Sequence, residues 1–401
     1  MKAELSSRIA PPESDLLQRA RDLEPFIAPH VEEEETNRRL SATVVAALKK
    51  AGFYKLYLPK SLGGLETDPV TTAQLVEEVA RQNTAAGWSM MVANTTLSLG
   101  GFLEEKGIEE IFSNGGDVFM AGSIHPPMRA TAAKDGYIIN GRNPLLSNIH
   151  EADWVSVTAL VMENGKPIIQ NGHPQIIVAI MKANDLQVID TWNPLGMRAT
   201  DSNDIEARDV YVPRHRSFAL IPGFPTGRHF QGPLYRFPAA GVNIACLLAP
   251  VSLAVAHNAI LELKALAGKK TPLGSMVPIR DRGVVQSKLG KAEALVQAGR
   301  AFLYERLTSC WIKTLNGETI SLEEKASLLL AAAHTNQSCV QAVELVYTAA
   351  GSTGVYMKNK LAHHFTDAQV LRQHGFMNES RYETAGQVLL GLPPDLPLIQ
   401  F

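Results

Sequence analysis

The stretch GMRATDSNDIEARDVYVP, residues 196–213, joins three local patterns that decide how the chain is organised around it. It opens on a glycine turn, continues as a polar run over 200–204 and ends in the strand-like segment 209–213. Glycine and clustered Asp, Asn and Ser favour turns, whereas β-branched and aromatic residues favour strands. The stretch holds no nucleophile motif and no metal cluster. It is therefore either a structural hairpin edge or the edge of a ligand site.

The composition limits the classes of protein to which this chain can belong. The 401 residues suffice for two or three structural units, and 45% hydrophobic with 19% charged residues is ordinary for a soluble chain. A formal net charge of −2 gives no electrostatic reason to bind nucleic acid or an anionic membrane. The cysteines, Cys246, Cys310 and Cys339, are too far apart for a predicted disulfide framework. With an N-terminus that lacks a signal-peptide core, they lead us to expect a cytoplasmic location.

The periodicity of apolar residues changes twice along the chain. Spacings of three and four predict helices before residue 116, and short alternating segments broken by Asp-Gly and Asn-Gly then predict strands. The helical period returns in four blocks, 238–267, 281–315, 321–350 and 366–390. The predicted fold class is α+β, with an N-terminal helical domain (1–115), a central antiparallel β-sandwich or barrel (116–215) and a C-terminal four-helix bundle (216–401).

Two further features narrow the possibilities. The most apolar run, 239–256, contains Asn243, Pro250 and Ser252 and is short for a membrane span, so we expect a buried helix there. The chain also lacks a GxGxxG after a strand, an HExxH, a GxSxG and any metal-spaced set of Cys and His. The sequence therefore predicts no Rossmann dinucleotide site and no bound metal.

Four stretches, in an order helices–strands–helices, resemble the acyl-CoA dehydrogenase family. They are AGFYKLYLPKSLGGLE (51–66), DGYIINGRNPLLSNIHEADW (135–154), the opening stretch with TWNPL before it (191–213), and VYTAAGSTGVY with FTDAQV (346–370). Each motif alone is weak, but their order and spacing together are specific, and the resemblance covers about residues 15–392. It implies that 196–213 is the last hairpin of the β-domain. Its polar run would lie near a flavin, and its final Val-Pro would return the chain to the bundle.

The resemblance implies a flavin, FAD or FMN, between the β-domain and the bundle. Ser147 aligns with the family residue whose hydroxyl faces flavin N5, Asn148 follows it in the same LLSN stretch, and Ser123 aligns with a loop over the pyrimidine ring. Lys270 is either a partner of a flavin phosphate or a surface lysine.

The resemblance also covers two glycines. Gly351 and Gly354 either allow close approach of a phosphate or of a neighbouring subunit's cofactor, or cap a helix.

An acyl-CoA dehydrogenase needs a carboxylate to remove a proton from its substrate. The two places where the family keeps its glutamate fall on Gly375, eight residues after Asp367, and on Ala245 at the start of the first bundle helix. Neither residue can accept a proton. Glu379 could serve as a displaced base, which leaves an atypical dehydrogenase as one alternative, and a non-catalytic flavin- or ligand-binding homologue as a second.

The segment LRQHGFMNESRY resembles instead the flavin-dependent monooxygenase branch of the same fold, where a histidine lines the pocket above the flavin. The resemblance implies reduced flavin taken from a separate reductase, O2 as cosubstrate and a homotetramer. His374 would handle protons, since an imidazole titrates near neutral pH. Ser147 would contact the flavin, and Asn94 stands after Trp88 where the branch often has another histidine. We therefore expect a monooxygenase of a small organic substrate, aromatic or amine.

Overall fold

The computed structural model describes residues 14–170, 172–238 and 240–400, and within them helices, strands and helices follow in the predicted order. The predicted domains 1–115 and 216–401 extend at their outer ends beyond the described residues. The N-terminal helices are α1 (Ser14–Arg21), α2 (Glu24–Ile27), α3 (Val31–Asn37), α4 (Ala42–Ala51), α5 (Pro69–Gln82), α6 (Thr84–Leu97) and α7 (Glu105–Ile111).

Local sequence explains where these helices begin and end. The Ser41 hydroxyl accepts the N–H of Val44 at the start of α4, and Gly52 ends the helix with φ of 82°, a backbone conformation that glycine adopts without strain. Asn83 caps α6 in the same way by accepting the N–H groups of Ala85 and Ala86. The cap of α6 is relevant to the site because this helix carries Trp88.

The central region is one mostly antiparallel sheet. Its strands are β1 (Met120–Ala133), β2 (Gly136–Leu146), β3 (Trp154–Glu163), β4 (Lys166–Pro167), β7 (Ile176–Lys182), β8 (Gln187–Ile189), β9 (Asn203–Pro213) and β10 (Ser217–Ala219), and β5 (Ile169–Gln170) pairs separately with β6 (His173–Pro174). The main path runs β10-β7-β3-β1-β2-β9-β8, with β4 on β3.

This arrangement refines the predicted sandwich or barrel. The strands of the main sheet share one hydrogen-bonded path and do not divide into two sheets, and β1 pairs with β3 in parallel. The Asp-Gly pair at 135–136, one of the breaks between the predicted strands, forms a hairpin turn: β1 and β2 are antiparallel across it, and Asp135 has φ of 56°. The strands begin at Met120 and continue to Ala219, four residues later at each end than the predicted limits 116 and 215.

The opening stretch differs from its prediction in two ways. β9 pairs with β8, so residues 196–213 supply the second strand of a hairpin and part of its long loop, 190–202, which contains the first polar residues. Contrary to the prediction, its final Val-Pro does not return the chain directly to the C-terminal helices, because β10 follows Pro213 and pairs with β7 first. Residues 217–219 extend the sheet by one short strand, because they pair with residues 177–179 and so satisfy backbone hydrogen-bonding groups.

The C-terminal helices are α8 (Ala240–Ala267), α9 (Gly283–Leu315), α10 (Leu322–Ala350), α11 (Lys360–Leu371) and α12 (Ser380–Leu389). The predicted single helix over 366–390 is therefore wrong: it breaks between Leu371 and Ser380, and this break holds His374. Among the described residues one segment, Gly241–Ala267, is long and apolar enough to cross a membrane, and it is mostly buried inside the protein. It packs against α5, α6, α9, α10 and α11, as predicted for a core helix.

Candidate functional site

Ser147 follows directly after β2 and lies at the start of a chain of buried hydroxyl groups. Its Oγ accepts the indole N–H of Trp88 at 2.9 Å and lies 2.8 Å from Ser202 Oγ. Ser202 Oγ lies 2.7 Å from Thr200 Oγ1, which donates to the carbonyl of Met197 at 2.9 Å. The three hydroxyl residues are 5%, 4% and 1% exposed, so their hydrogen bonds are shielded from water.

The direction of each hydrogen bond in this chain is fixed by its last member. A carbonyl oxygen can only accept, so the single hydroxyl hydrogen of Thr200 points at Met197. Thr200 must then accept from Ser202, and Ser202 must accept from Ser147. Ser147 therefore donates its hydrogen away from Trp88 and keeps one oxygen acceptor position unused, because no third hydrogen bond to Ser147 occurs among the described residues.

Asn148 stands beside this chain in a left-handed conformation, with φ of 56°. Its backbone N–H donates to the Thr200 carbonyl at 2.9 Å, which ties the end of β2 to the loop before β9. The side chain is 2% exposed, yet its Nδ2 has no hydrogen-bond partner in the described part of the protein. A buried amide donor without an acceptor is costly, which is why such a group points to a missing ligand.

His374 reaches the same place from the break between α11 and α12. Its ring meets the Trp88 ring edge to face, with centroids 5.4 Å apart and planes at 78°. The backbone N–H of Phe376 donates to His374 Nδ1 at 3.3 Å. Desolvation lowers the pKa of the imidazole to about 4, so the ring is neutral near pH 7 and its one proton sits on Nε2. The structure thus joins His374, Trp88 and Ser147.

Asn94 lies on α6, two turns after Trp88, but is not part of this cluster. Its Nδ2 donates to the carbonyls of Phe53 and Met90 at 2.8 and 2.7 Å, and its Oδ1 accepts the N–H of Tyr57 at 3.1 Å. The side chain is 0% exposed. These contacts hold the turn after α4 against α6 and leave no donor hydrogen for a ligand, so the position of Asn94 gives no support to a catalytic role.

Ser123 lies on β1 opposite Val157 of β3, just before the ladder between these parallel strands shifts register. Its neighbour Gly122 has no room for a side chain, because a Cβ there would lie 2.5 Å from Ser156 Oγ. Ser123 is half-buried. Its predicted contact with a flavin stays a prediction.

Lys270, Gly351 and Gly354 come together in a second group, at the end of α10. Lys270 Nζ donates to the carbonyl of Ala350 at 2.5 Å, and burial lowers the pKa of this ammonium. Gly351 has φ of 59°, and a Cβ there would lie 3.5 Å from the ammonium, while Gly354 packs against Tyr347. The lysine therefore caps the helix end by itself, and its role toward a phosphate stays a prediction.

Sequence reasoning missed the partners that hold the loop before β9. Asp201 is 2% exposed and accepts from His150 Nδ1 at 2.8 Å and from Asn203 Nδ2 at 2.8 Å. On the other side, the Met197 N–H donates to Asp367 Oδ1 at 2.6 Å. The polar run 200–204 can be recognised in the sequence. Its hydrogen bonds to residues more than fifty positions away cannot.

The positions of a dehydrogenase base carry no carboxylate in the fold either. Ala245 and its neighbour Cys246 are buried in α8, and Gly375 is exposed. Glu379 is exposed at the start of α12. Among the described residues no carboxylate is hydrogen-bonded to Ser147, Trp88 or His374. All three cysteines are free and buried.

Two family models match the chain and together span more than half of it: "Acyl-CoA dehydrogenase, N-terminal domain" over residues 13–111 and "Acyl-CoA dehydrogenase, C-terminal domain" over 246–379. The chain belongs to the acyl-CoA dehydrogenase superfamily. The predicted family and its arrangement of an N-terminal helical domain, a mostly antiparallel sheet and C-terminal helices are thereby confirmed.

Relatives place this family member in the monooxygenase branch. It is 29% identical over 362 residues to the indole-3-acetate monooxygenase of Pseudomonas putida, covering 90% of each chain. It is 24% identical to the flavin-dependent monooxygenase oxygenase subunit HsaA of Rhodococcus jostii, over 94% of this chain and 98% of the relative. XiaF from Streptomyces sp., solved in complex with FADH2 and glycerol, has the same fold, with a TM-score of 0.89, 23% identity and 99% of each chain covered. The chain is a flavin-dependent oxidoreductase of the monooxygenase class, as predicted.

The residues at the site fit a reduced flavin. A flavin ring presents carbonyl acceptors and, when reduced, an N–H donor at N5. The orphaned Nδ2 of Asn148 can donate to a carbonyl, and the unused acceptor position of Ser147 can take an N–H. No charged group in the cluster opposes a neutral ring.

Proposed function

We propose that this protein is the oxygenase component of a two-component monooxygenase. It would take reduced FAD or FMN from a separate reductase and hydroxylate a neutral, electron-rich aromatic ring of the indole type. The observation that carries the proposal is the state of His374: a neutral imidazole that packs against Trp88 and has its proton on Nε2, with no carboxylate of the described residues hydrogen-bonded to His374, Trp88 or Ser147. Such a group donates a hydrogen bond but cannot act as the strong base that a phenol would need.

Bound reduced flavin would supply the two electrons with which one atom of O2 enters the substrate and the other leaves as water. Ser147 would fix the flavin at N5, and Asn148 would donate to one of its carbonyls. His374 would hold a proton at Nε2 and so stabilise charge that develops on oxygen. The aromatic wall of Trp88 and the neighbouring Phe376 would exclude water from the reacting face.

The proposal includes the partners that the sequence predicts. The relative HsaA is named an oxygenase subunit, which supports a separate reductase for this chain. A homotetramer is supported by apolar side chains exposed beside the Gly351–Gly354 group, namely Val355, Tyr356 and Met357, at 61%, 60% and 53%. We place the protein in the cytoplasm because its three cysteines are free.

The test mixes anaerobically reduced FMN or FAD with the protein, indole-3-acetate or indole, and oxygenated buffer, and measures hydroxylated product by mass spectrometry with 18O2. We expect one labelled oxygen per product molecule. In His374→Ala the yield should fall roughly 100-fold while circular dichroism is unchanged, because a positioned proton donor contributes about that factor. Turnover of acyl-CoA substrates with an artificial electron acceptor, and none with O2, would overturn the proposal.

A further inference from the structure

The hydroxyl chain from Ser147 to Met197 cannot conduct a proton, because it ends at a backbone carbonyl that has none to give. In the observed geometry, the arrangement that places a hydrogen between every pair of contacting oxygens runs from Ser147 through Ser202 and Thr200 to Met197, whose carbonyl also accepts the Trp192 N–H. Ser202 and Thr200 are buried and bond to no charged group through their hydroxyls, so no change of charge within the chain reverses the direction. What the chain does is to fix which way the Ser147 hydrogen points.

The direction of that hydrogen decides which redox state of a flavin Ser147 can bind. Reduced flavin carries a hydrogen on N5 and is a donor there, whereas oxidised flavin presents only a lone pair at N5. With its hydrogen held by Ser202 and Trp88 donating to its oxygen, Ser147 offers a lone pair and no hydrogen. A lone pair accepts the reduced N5–H but faces the oxidised N5 without a hydrogen bond.

We propose that Ser202 and Thr200 are positioning residues that lock Ser147 as a hydrogen-bond acceptor, and that they thereby make the site bind reduced flavin more tightly than oxidised flavin. The inference rests on the proposed function, because it takes the flavin N5 to lie at Ser147. It assigns a role to two residues that do not themselves touch the flavin. For oxidised flavin to gain a bond from Ser147, the protein would have to give up the bond between Ser147 and Ser202.

The experiment compares dissociation constants of the full-length protein for oxidised FMN, by fluorescence quenching, and for dithionite-reduced FMN, by anaerobic calorimetry. In Ser202→Ala the Ser147 hydrogen is released and can turn to N5 of oxidised flavin. The ratio of the oxidised to the reduced dissociation constant should then fall about fivefold, the value of one hydrogen bond. Spectroelectrochemistry should show the bound flavin about 20 mV more negative, since tenfold is about 30 mV for a two-electron couple.

Thr200→Val tests the same positioning of Ser147 at the next hydroxyl group of the chain. Without the Thr200 acceptor, Ser202 can donate toward Ser147, and the ratio should fall in the same direction. Ser202→Thr keeps the hydroxyl and should keep the wild-type ratio. Ser252→Ala is the matched control: Ser252 is 3% exposed and donates to Asn336 Oδ1 at 2.8 Å on the helices α8 and α10, so it loses an equally buried bond outside the chain.

The outcomes separate the inference from the proposed function. If the wild-type protein binds neither redox state of FMN or FAD, the flavin function and the inference fall together. If it binds flavin and oxygenates substrate, but the ratio of the oxidised to the reduced dissociation constant is the same in Ser202→Ala and Thr200→Val as in wild type, the positioning role of Ser202 and Thr200 is refuted. The proposed function is then retained. An equal fall of this ratio in the control Ser252→Ala would also refute the positioning role. Circular dichroism checks folding, and if Ser202→Ala is unfolded, Thr200→Val decides.

Discussion

Two buried polar clusters in this protein are built in opposite ways. Around Glu77, on α5, the carboxylate accepts from Arg81 at 2.8 Å, from Tyr304 at 3.0 Å and from Arg300, so that charges are paired between the two helices α5 and α9. Around Ser147, the polar groups are hydroxyls, an indole N–H and an imidazole whose pKa is lowered by burial, so that no member is charged near pH 7.

This contrast distinguishes a structural cluster from a candidate ligand site. Both oxygens of Glu77 accept from protein side chains, and its charge is balanced by two arginines, although Arg81 Nε has no partner among the described residues. The cluster at Ser147 leaves one acceptor position on its hydroxyl, the Nδ2 of Asn148 and the Nε2 of His374 without protein partners among the described residues. Several neutral groups with unused hydrogen-bonding capacity that come together in one place, rather than the amount of buried polarity, favour the Ser147 cluster as the place where a ligand binds.

The largest effect that tests this comparison should come from Glu77→Gln. Removing the charge leaves Arg300 without its counter-ion and Arg81 with only the more distant Glu78, and breaking a buried pair of this kind costs about 3 kcal/mol of unfolding free energy. Urea denaturation measures the loss. The ratio of oxidised to reduced flavin dissociation constants should stay unchanged, because the cluster holds no ligand.

Glu78→Gln is the matched control for that substitution. Glu78 is the next residue, pairs with Arg21 at 3.5 Å and with Arg81 at 4.0 Å, and lies nearer the surface. Its loss should cost less than about 1 kcal/mol. Equal destabilisation by the two variants, or a change of flavin affinity in Glu77→Gln alone, would contradict the contrast between the clusters.

A smaller effect should follow from Trp88→Phe, which keeps the aromatic contact with His374 and removes only the donor to Ser147. We expect a loss of about 1 kcal/mol in stability and a change in flavin affinity, because Ser147 is then held by Ser202 alone. Trp192→Phe is the control, since the Trp192 N–H donates to the carbonyls of Met197 and Arg198 in the same loop. It should lose similar stability and keep the flavin affinity; the same affinity change in both would show that the loop, not Ser147, controls binding.

Much of the fold follows from the sequence because its signals are local. The Asp-Gly break that forms the turn at Asp135 and the buried helix predicted over 239–256 depend on neighbouring residues, and the fold contains both. The caps at Ser41 and Gly52 likewise depend only on neighbouring residues. The prediction of one helix over 366–390 was wrong because the helical period of the sequence continues through a segment in which His374 and Asn378 make the hydrogen bonds of turns. A local pattern does not reveal a break made by side-chain hydrogen bonds.

The site was predictable only in part. Ser147 and His374 came from the resemblance, and the fold brings both to Trp88. The roles of Trp88 and Ser202 depend on contacts across 59 and 55 residues, which no spacing in one sequence encodes. Asn94 was chosen because it follows Trp88, yet its amide is used by backbone groups that only the fold brings near.

The loop that carries Thr200 and Ser202 is also held by two acidic residues, and these differ from the hydroxyl chain in responding to pH. Asp367 accepts the Met197 N–H, and burial raises its pKa. Burial first, and then the neighbouring Asp367 charge, raise the pKa of Glu35 to about 7, while the Ala199 N–H and Arg198 oppose the rise. Near neutral pH the two carboxyl groups that hold the loop, those of Glu35 and Asp367, therefore both become negatively charged.

The smallest effect should be that of Glu35→Gln, and it should depend on pH. A carboxyl group whose pKa is higher in the folded than in the unfolded state stabilises the fold fully below its unfolded pKa, about 4.5, and loses this contribution as pH rises through about 7. Glutamine keeps an acceptor for the Ala199 N–H but never ionises. Denaturation should therefore find equal stabilities at pH 5 and the variant about 1 kcal/mol more stable at pH 8, the modest figure reflecting partial exposure and Arg198. Glu33→Gln, on the exposed side of the same helix α3, should leave the wild-type pH dependence unchanged. Parallel pH profiles for Glu35→Gln and wild type would mean that the loop is held by the neutral hydroxyl chain alone.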